Sequence, residues 1–482
     1  MFLKAGLLSL LLLLASRVLG VLRETALAAA FGSSGMADVA IVMLTLPDWL
    51  AGVLVSGALA YVLLPQWAQE SAAQQNATQN QVTRRLLWGS LVLAGLMCAA
   101  QGPVAALLVP GASAALQGAA SNAVVWSALA LPAAMLAGLW ATRLQHERDF
   151  VGLYSANLVV NGVLIAALLL LGFHGAEPGA GQTLGVFLLM AVVLRLLWQG
   201  WRMRHLRRNA LPVASPSLAP PLQLPGWRIW MWAALGAGLP LTLPFVARTF
   251  ASGAGEGALA TFNYAWKLVE LPLILAIQLV ASLAFPAIAR AHAASASGTG
   301  HTSADAMATA VRNALVLAWT LACAAAAALL VGAPVIASLL FGWGRMEVPA
   351  LEQIAAWGRV GAWGLLPQAL LAVGAAGGTA GESLMWGLNA GFLVAALIAG
   401  GALGAPALRH WLPVRALLAP SLALAVVAWL AHWWGGAGVA AVLVGDLGLK
   451  QAFPLVGIVF SAIFVVAAGW FSGPGLRQAL RS

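Results

Sequence analysis

Charged side chains are scarce in this chain of 482 residues, since Asp, Glu, Lys and Arg together make up only 8% of it. Soluble globular proteins carry about 25% charged residues, so this scarcity excludes an ordinary water-soluble enzyme or binding domain. Hydrophobic residues make up 62% of the chain and recur in runs of roughly 20 residues between short polar breaks. The composition therefore predicts an all-α polytopic membrane protein.

Acidic residues, cysteines and cofactor motifs are also few. The 24 Lys and Arg residues exceed the 14 Asp and Glu residues, but they lie mainly in short loops, where they set membrane orientation instead of binding nucleic acid. Cys98 and Cys323 lie inside hydrophobic runs, and no histidine has metal-ligand spacing. No nucleotide-binding loop or enzyme motif is present. We therefore expect no nucleic-acid partner, cofactor, metal, catalytic residue or enzyme activity.

The apolar runs predict about thirteen transmembrane helices, near residues 5–31, 38–65, 85–109, 121–142, 150–172, 181–201, 228–250, 258–288, 309–331, 351–375, 382–404, 411–434 and 451–472. The first is interpreted as an uncleaved helix, because arginine stands where a signal peptide would have its small-residue cleavage site. Basic loops after helices 2, 4, 6 and 8 predict a cytoplasmic N-terminus.

Basic residues near the end of the chain do not fit this topology. With thirteen spans, Arg409, Arg415, Arg477 and Arg481 would all lie outside the cytoplasm, against the pattern of the first nine helices. Either a weak fourteenth span lies within residues 331–404, or one helix has been lost. Both alternatives remain open, and with them the side of the C-terminus.

A proline-rich break and a weak repeat predict two lobes. Residues 209–227 form the break, and residues 46–55 (LPDWLAGVLV) share matched Leu-Pro, Leu-Ala and Leu-Val pairs with residues 271–280 (LPLILAIQLV). An offset of six helices preserves orientation, as in transporters built from two parallel-related halves. We expect a six-helix lobe at 1–208, a cytoplasmic linker at 209–227, a second lobe at 228–434, and a C-terminal transmembrane segment and tail at 435–482, with a central cavity between the lobes.

Three charged residues lie inside the first apolar run. Arg17 and Glu24 are seven residues apart and share nearly one helical stripe, and Arg23 lies beside them. A guanidinium in a membrane span costs several kcal/mol unless it faces water, a partner or a ligand. The anion that best matches its fork of donors is a phosphate, so these residues are candidates for substrate binding.

Two further spans carry candidate site residues. Lys267 and Glu270 are three apart in helix 8 and share a face, and Asp38 lies at the entry to helix 2. We expect Arg17, Arg23 and Lys267 to line the cavity, with Glu24, Asp38 and Glu270 as orienting acids. Arg195 is expected to extend to the membrane surface from the end of helix 6.

A family resemblance rests on several of these segments: residues 16–24 (SRVLGVLRE), Phe31-Gly32, Asp38, Leu46-Pro47, Ser56-Gly57-Ala58 with Pro65, 264–272 (YAWKLVELP) and 339–342 (LLFG). In this order they resemble the MviN/MurJ family of lipid II flippases in the MOP exporter superfamily, over roughly the first 345 residues. The resemblance implies fourteen helices in the bacterial inner membrane, two six-helix lobes around a cationic cavity, and alternating access that moves an undecaprenyl-diphosphate-linked saccharide outward.

The chain also departs from the family at several positions. Ala51-Gly52 and Ser56 stand where the family carries an arginine pair and an acid, Lys267 replaces an arginine, and no helix-7 acid for a sodium site is found near Arg248. The chain is therefore interpreted as a divergent member or paralogue, for lipid II or a related glycan, with its energy source, a coupling ion or the membrane potential, left open. The alternatives are a cation-coupled multidrug antiporter of the same superfamily and a non-transporting scaffold for envelope synthesis.

Overall fold

The structure is a computed structural model that describes residues 2–174, 179–209, 224–272, 302–365, 414–443 and 449–471. Every regular element in these ranges is helical, which confirms the predicted all-α class. Six helical segments in them are long and apolar enough to cross a membrane: Gly35–Leu54, Ala72–Ala99, Ala114–His146, Phe150–Gly172, Ala180–His205 and Trp319–Phe341.

The chain forms two compact units, the first comprising Met1–Ala260 with Trp343–Met346 and the second Thr261–Gly342 with Glu347–Ser482. The helices of the first unit are α1 (Phe2–Phe31), α2 (Gly35–Ala51), α3 (Gly57–Gln69), α4 (Ala72–Ala99), α5 (Gln101–Leu108), α6 (Ala114–His146), α7 (Phe150–His174), α8 (Ala180–Asn209) and α9 (Trp227–Ser252). The predicted linker falls mostly on residues 210–223, outside the described ranges, so the lobe boundaries stay predictions.

Helix α6 is the centre of the first unit, where it packs against α2, α4, α5 and α8. Its inner face is rich in alanine, including the buried Ala123, Ala128 and Ala134. Small residues let helix backbones approach closely, which is the main packing device between membrane helices. Helix α7 packs against α1 and α8, so α1 is supported along the face that carries part of its polar side chains.

Helices α2 and α3 form one broken span. Ser34 caps the start of α2 by accepting the N–H of Ala37, and Pro47 lies inside the helix. A π-helical turn at Gly52–Ser56 then joins α2 to α3. Proline removes a backbone donor, and π turns recur at functional sites. This break in the span is therefore a candidate part of the functional region.

The second unit contains α10, described from residue 258 and belonging to this unit from Thr261 to residue 272, together with α11 (Thr302–Phe341), α12 (Val348–Ala362), α13 (Val414–Leu443) and α14 (Leu449–Phe471). Helix α11 packs against α12, α13 and α14. Trp319 donates its ring N–H to the hydroxyl of Ser421 at 2.8 Å and so ties α11 to α13.

The predicted helix positions agree with the structure better than the predicted ends. Helix α4 begins at Ala72 instead of near residue 85, because Ser71 and Gln74 form a capping box that starts a polar helical turn before the apolar run. Helix α8 continues to Asn209 instead of ending near 201, and α11 extends beyond both predicted ends. The predicted helix at 382–404 lies outside the described residues, so the number of spans stays a prediction.

Candidate functional site

Arg23 lies at the centre of a small polar cluster between α1 and α7. Its Nη2 atom contacts Glu24 Oε1 at 2.7 Å, and its Nη1 donates to Asn161 Oδ1 at 3.4 Å. Asn161 in turn donates to the backbone carbonyl of Ser16 at 3.4 Å, one amide thus linking two points of α1. The side chain of Arg23 remains 16% exposed, so the guanidinium is held in place without being sealed off.

Arg17 lies about two turns before this cluster and is exposed. In the described ranges its side chain makes no ion pair or hydrogen bond. Hydrocarbon offers no acceptor to a guanidinium, so this charge needs water or an anionic ligand. The structure therefore places Arg17, Arg23 and Glu24 along one stretch of α1, as the sequence predicts, and pairs Glu24 with Arg23.

Asp38 is buried and acts at the start of α10. Its two carboxylate oxygens accept the backbone N–H groups of Gly257 at 2.8 Å and Ala260 at 2.7 Å. These are donors that a helix N-terminus leaves without an internal partner, and the negative charge also suits the positive end of the helix dipole. Asp38 thus fixes the first turn of the helix on which Lys267 lies.

Lys267 and Glu270 form an ion pair on α10, with 2.6 Å between Lys267 Nζ and Glu270 Oε2. Both side chains are partly buried. The helix is positioned in the second unit by ring contacts, since Tyr264 packs on Phe341 and Phe262 lies near Trp357. The (i, i+3) pairing matches the sequence prediction, while contact of either residue with a substrate stays a prediction.

Arg195 differs from its prediction. It was expected at the end of a helix, where its side chain would reach the membrane surface, but α8 continues to Asn209 and places Arg195 about midway along its length. Its Nη1 atom lies 3.6 Å from Oδ1 of Asp48, next to Pro47 in the broken span. The predicted helix ended near residue 201, whereas the arginines beyond it, from Arg202 to Arg208, are helical as well.

Asn161 was missed from the sequence, although a signal was present. Its side-chain amide lies inside the apolar run of α7. A polar group in such a run is costly unless it has a hydrogen-bond partner, so its presence indicates a role. Within the described residues there is also no cluster of three or more His, Cys, Asp or Glu side chains that would hold a metal ion.

Together, a helical fold with long apolar spans, a broken helix and arginines within apolar helices are features of the class of polytopic membrane transporters. The sequence profile of the lipid II flippase MurJ family matches residues 27–377, about three quarters of the chain. The chain therefore belongs to the lipid II flippase MurJ family. That family is one of membrane transporters and not of enzymes, and with the apolar helices it supports a multi-pass protein of the inner membrane.

Individual relatives agree with this family. The chain is 26% identical over 299 residues to a probable lipid II flippase MurJ of Rhizobium meliloti strain 1021, a match that covers 58% of this chain and 53% of the relative. The chain thus matches about half the length of that curated relative.

Two solved structures share the fold. A lipid II flippase MurJ in an inward closed conformation has a TM-score of 0.58 at 12% identity, covering 97% of this chain and 87% of that one. An inward-facing multidrug resistance transporter of the MATE family, in the MOP superfamily, has a TM-score of 0.53 at 14% identity, covering 95% and 96%. At these identities the likeness shows the fold alone.

Proposed function

We propose that this protein is a flippase that moves an undecaprenyl-diphosphate-linked saccharide, lipid II or a related glycan, across the inner membrane by alternating access. The observation that carries the proposal is the pair of arginines inside α1. Arg17 is exposed without a protein partner among the described residues, and Arg23 is held by Glu24 and Asn161 while part of its side chain stays accessible. A cationic group of this kind suits a diphosphate.

The proposed site residues have distinct roles. Arg17, Arg23 and Lys267 contact the diphosphate, and Glu24 and Glu270 orient the cations with which they pair at 2.7 and 2.6 Å. Asp38 acts indirectly, because it fixes the start of the helix that carries Lys267. A multidrug antiporter would instead need acids free to bind a cationic drug, whereas Glu24 and Glu270 each pair with a cation of the protein.

A flipping assay in proteoliposomes tests the proposal. The purified chain is reconstituted with fluorescently labelled lipid II, with undecaprenyl-diphosphate-linked disaccharide, and with a labelled phospholipid as control. Transport of either polyprenyl-linked glycan, but not of the phospholipid, is the expected result. Transport of a cationic drug without movement of any glycan lipid would favour the antiporter, and movement of neither would favour the scaffold.

The proposed orientation places the N-terminus in the cytoplasm. In a variant with Cys98 and Cys323 replaced by alanine, a cysteine at Ser113 is expected to react with a membrane-impermeant thiol reagent in intact cells, while one at Ala73 resists it. Both positions are exposed, and Ala73 avoids disturbing the capping box of Ser71. The opposite labelling pattern would reverse the proposed topology.

A further inference from the structure

Helix α8 carries two arginines on one face, and the two are paired very differently. Arg202 follows Arg195 by seven residues, which places both on the same helical stripe. Arg202 donates through Nε to Asp149 Oδ2 at 2.6 Å and through Nη2 to Asp149 Oδ1 at 3.1 Å. Asp149 is 5% exposed and also accepts the N–H of Gly152. This bidentate pair fastens the α6–α7 turn to α8, so Arg202 is structural.

Arg195 has a much looser partner. Among the described residues its ion pair joins Nη1 to Asp48 Oδ1 at 3.6 Å, longer than the roughly 2.7–2.9 Å of a strong charge-assisted hydrogen bond. The Nε atom is buried and has no hydrogen-bond acceptor among the described residues. Buried donors in native proteins are normally satisfied, so the described residues leave this guanidinium incompletely satisfied.

The Arg195–Asp48 pair is accessible on the side of Asp48. Its side chain is 52% exposed, compared with 19% for Arg195, although it lies within the apolar span Gly35–Leu54. A carboxylate at such a position faces water or a cation, because exposure to lipid tails would be too costly. The pair is therefore open to a solvated polar ligand on its Asp48 side.

The backbone around Asp48 has the features of a ligand site. Pro47 precedes it inside α2, and the π turn Gly52–Ser56 begins one turn later. Interrupted membrane helices are the usual elements that form substrate sites in transporters. The accessible pair thus lies beside the break in the helix.

We propose that Arg195 binds a phosphate oxygen of the transported lipid's diphosphate, and that Asp48 is its resting counter-ion, which the phosphate displaces. The inference rests on the proposed flippase function and adds a binding residue from α8 to those on α1 and α10. A guanidinium suits this exchange because the same N–H groups of its planar fork donate to a carboxylate or to a phosphate.

Binding of undecaprenyl diphosphate to the purified full-length protein tests the exchange. Arg195→Gln is expected to weaken binding about tenfold and Arg195→Lys by less, since the lysine keeps the charge without the fork. Asp48→Asn is expected to tighten binding severalfold, because it removes the competing anion. Arg84→Gln, an exposed arginine of α4, is the matched control and should leave binding unchanged.

A purely structural pair would give the opposite pattern for Asp48. Asp48→Asn would then lower the thermal midpoint and weaken binding as much as Arg195→Gln does, and this result would overturn the inference. An unchanged affinity in Arg195→Gln would overturn it as well. Arg202→Gln shows what a structural loss looks like, since it should lower the thermal midpoint without changing the affinity of the protein that remains folded.

The same titration separates this inference from the proposed function. If the unmodified chain binds undecaprenyl diphosphate and Arg23→Ala abolishes binding while Arg195→Gln does not alter it, only the role of Arg195 is wrong. If the unmodified chain does not bind the probe, both the diphosphate function and the role of Arg195 are wrong. A peptide carboxylate as the real ligand would appear as an effect of Arg195→Gln on lipid II but not on undecaprenyl diphosphate, and would overturn the phosphate assignment.

Discussion

The middle of α1 and the start of α2 both hold charged side chains, and the protein neutralises these charges differently. At the start of α2, both oxygens of Asp38 accept backbone N–H groups from the loop and first turn that begin α10, at 2.7 and 2.8 Å. In α1, Arg17 is exposed without a partner in the described part of the chain, and Arg23 stays 16% exposed while it pairs with Glu24 and donates to Asn161. A buried charge satisfied by backbone donors serves folding, whereas an accessible one is available to a ligand.

Removing the α1 arginines is the strongest way to test this difference. Arg17→Ala and Arg23→Ala are each expected to abolish flipping, because the diphosphate loses a charge-assisted contact, while the amount of folded protein stays near normal. Flipping in proteoliposomes and abundance in membranes are measured together, with Arg84→Ala as control. If the folded protein disappears in both variants, these arginines are structural, like Asp38, and the contrast fails.

A substitution in the loop between α9 and α10 is expected to lower stability and to leave flipping unchanged. Gly257 has φ +82°, and a β-carbon there would collide with the backbone carbonyl oxygen of Ser33. Gly257→Ala should therefore cost about 1–3 kcal/mol of stability and lower the thermal midpoint. Flipping per folded molecule should stay close to that of the unmodified protein.

Gly118 provides the matched control for that substitution. It lies in α6, where a β-carbon would meet nothing within 4 Å, so Gly118→Ala should be neutral or slightly stabilising. Equal thermal midpoints for the Gly257 and Gly118 variants would show that the loop yields easily and does not constrain the start of α10.

Removing the carboxylate itself gives a smaller effect. Asp38→Ala leaves two N–H groups of the α10 start without their acceptor, a loss of about 1–2 kcal/mol for a helix cap. Asp38→Asn should cost less because one oxygen still accepts. The thermal midpoint in detergent measures both. Flipping that falls further than the amount of folded protein would show that Asp38 also positions Lys267 or contacts the substrate.

The sequence predicted the helical class and the residues of the polar clusters better than it predicted their partners. Hydropathy locates α1 because the free energy gained by burying its apolar side chains is the largest contribution to its placement. An arginine inside such a run is easily identified as a candidate site residue, because its transfer from water costs several kcal/mol. The partners come from tertiary packing: Asn161 is 138 residues from Arg23, and Gly257 is 219 residues from Asp38. No periodicity in one sequence encodes those separations.

Helix ends were harder to predict for a related reason. Arg195 was expected at a membrane surface because the predicted helix ended near residue 201, yet helix formation continues to Asn209. Hydrogen bonding within a helix does not depend on hydropathy, so a polar extension stays helical once the apolar turns before it are formed. The structure was therefore needed to place Arg195 within the apolar span Ala180–His205 instead of at its end.

Lys267→Arg should change binding least, and it tests whether a guanidinium on α10 binds the diphosphate better than an ammonium group does. Lys267 contacts Glu270 through a single nitrogen at 2.6 Å, which leaves a point charge for a diphosphate. An arginine presents five donors, so it can keep Glu270 on one nitrogen and offer others to the phosphate. We expect undecaprenyl diphosphate to bind severalfold more tightly, with an unchanged thermal midpoint. Lys267→Gln is the paired control and should weaken binding, since the cation is lost. Weaker binding by the arginine variant would mean that this position selects against a guanidinium and that α10 recognises its ligand in a different way from α1.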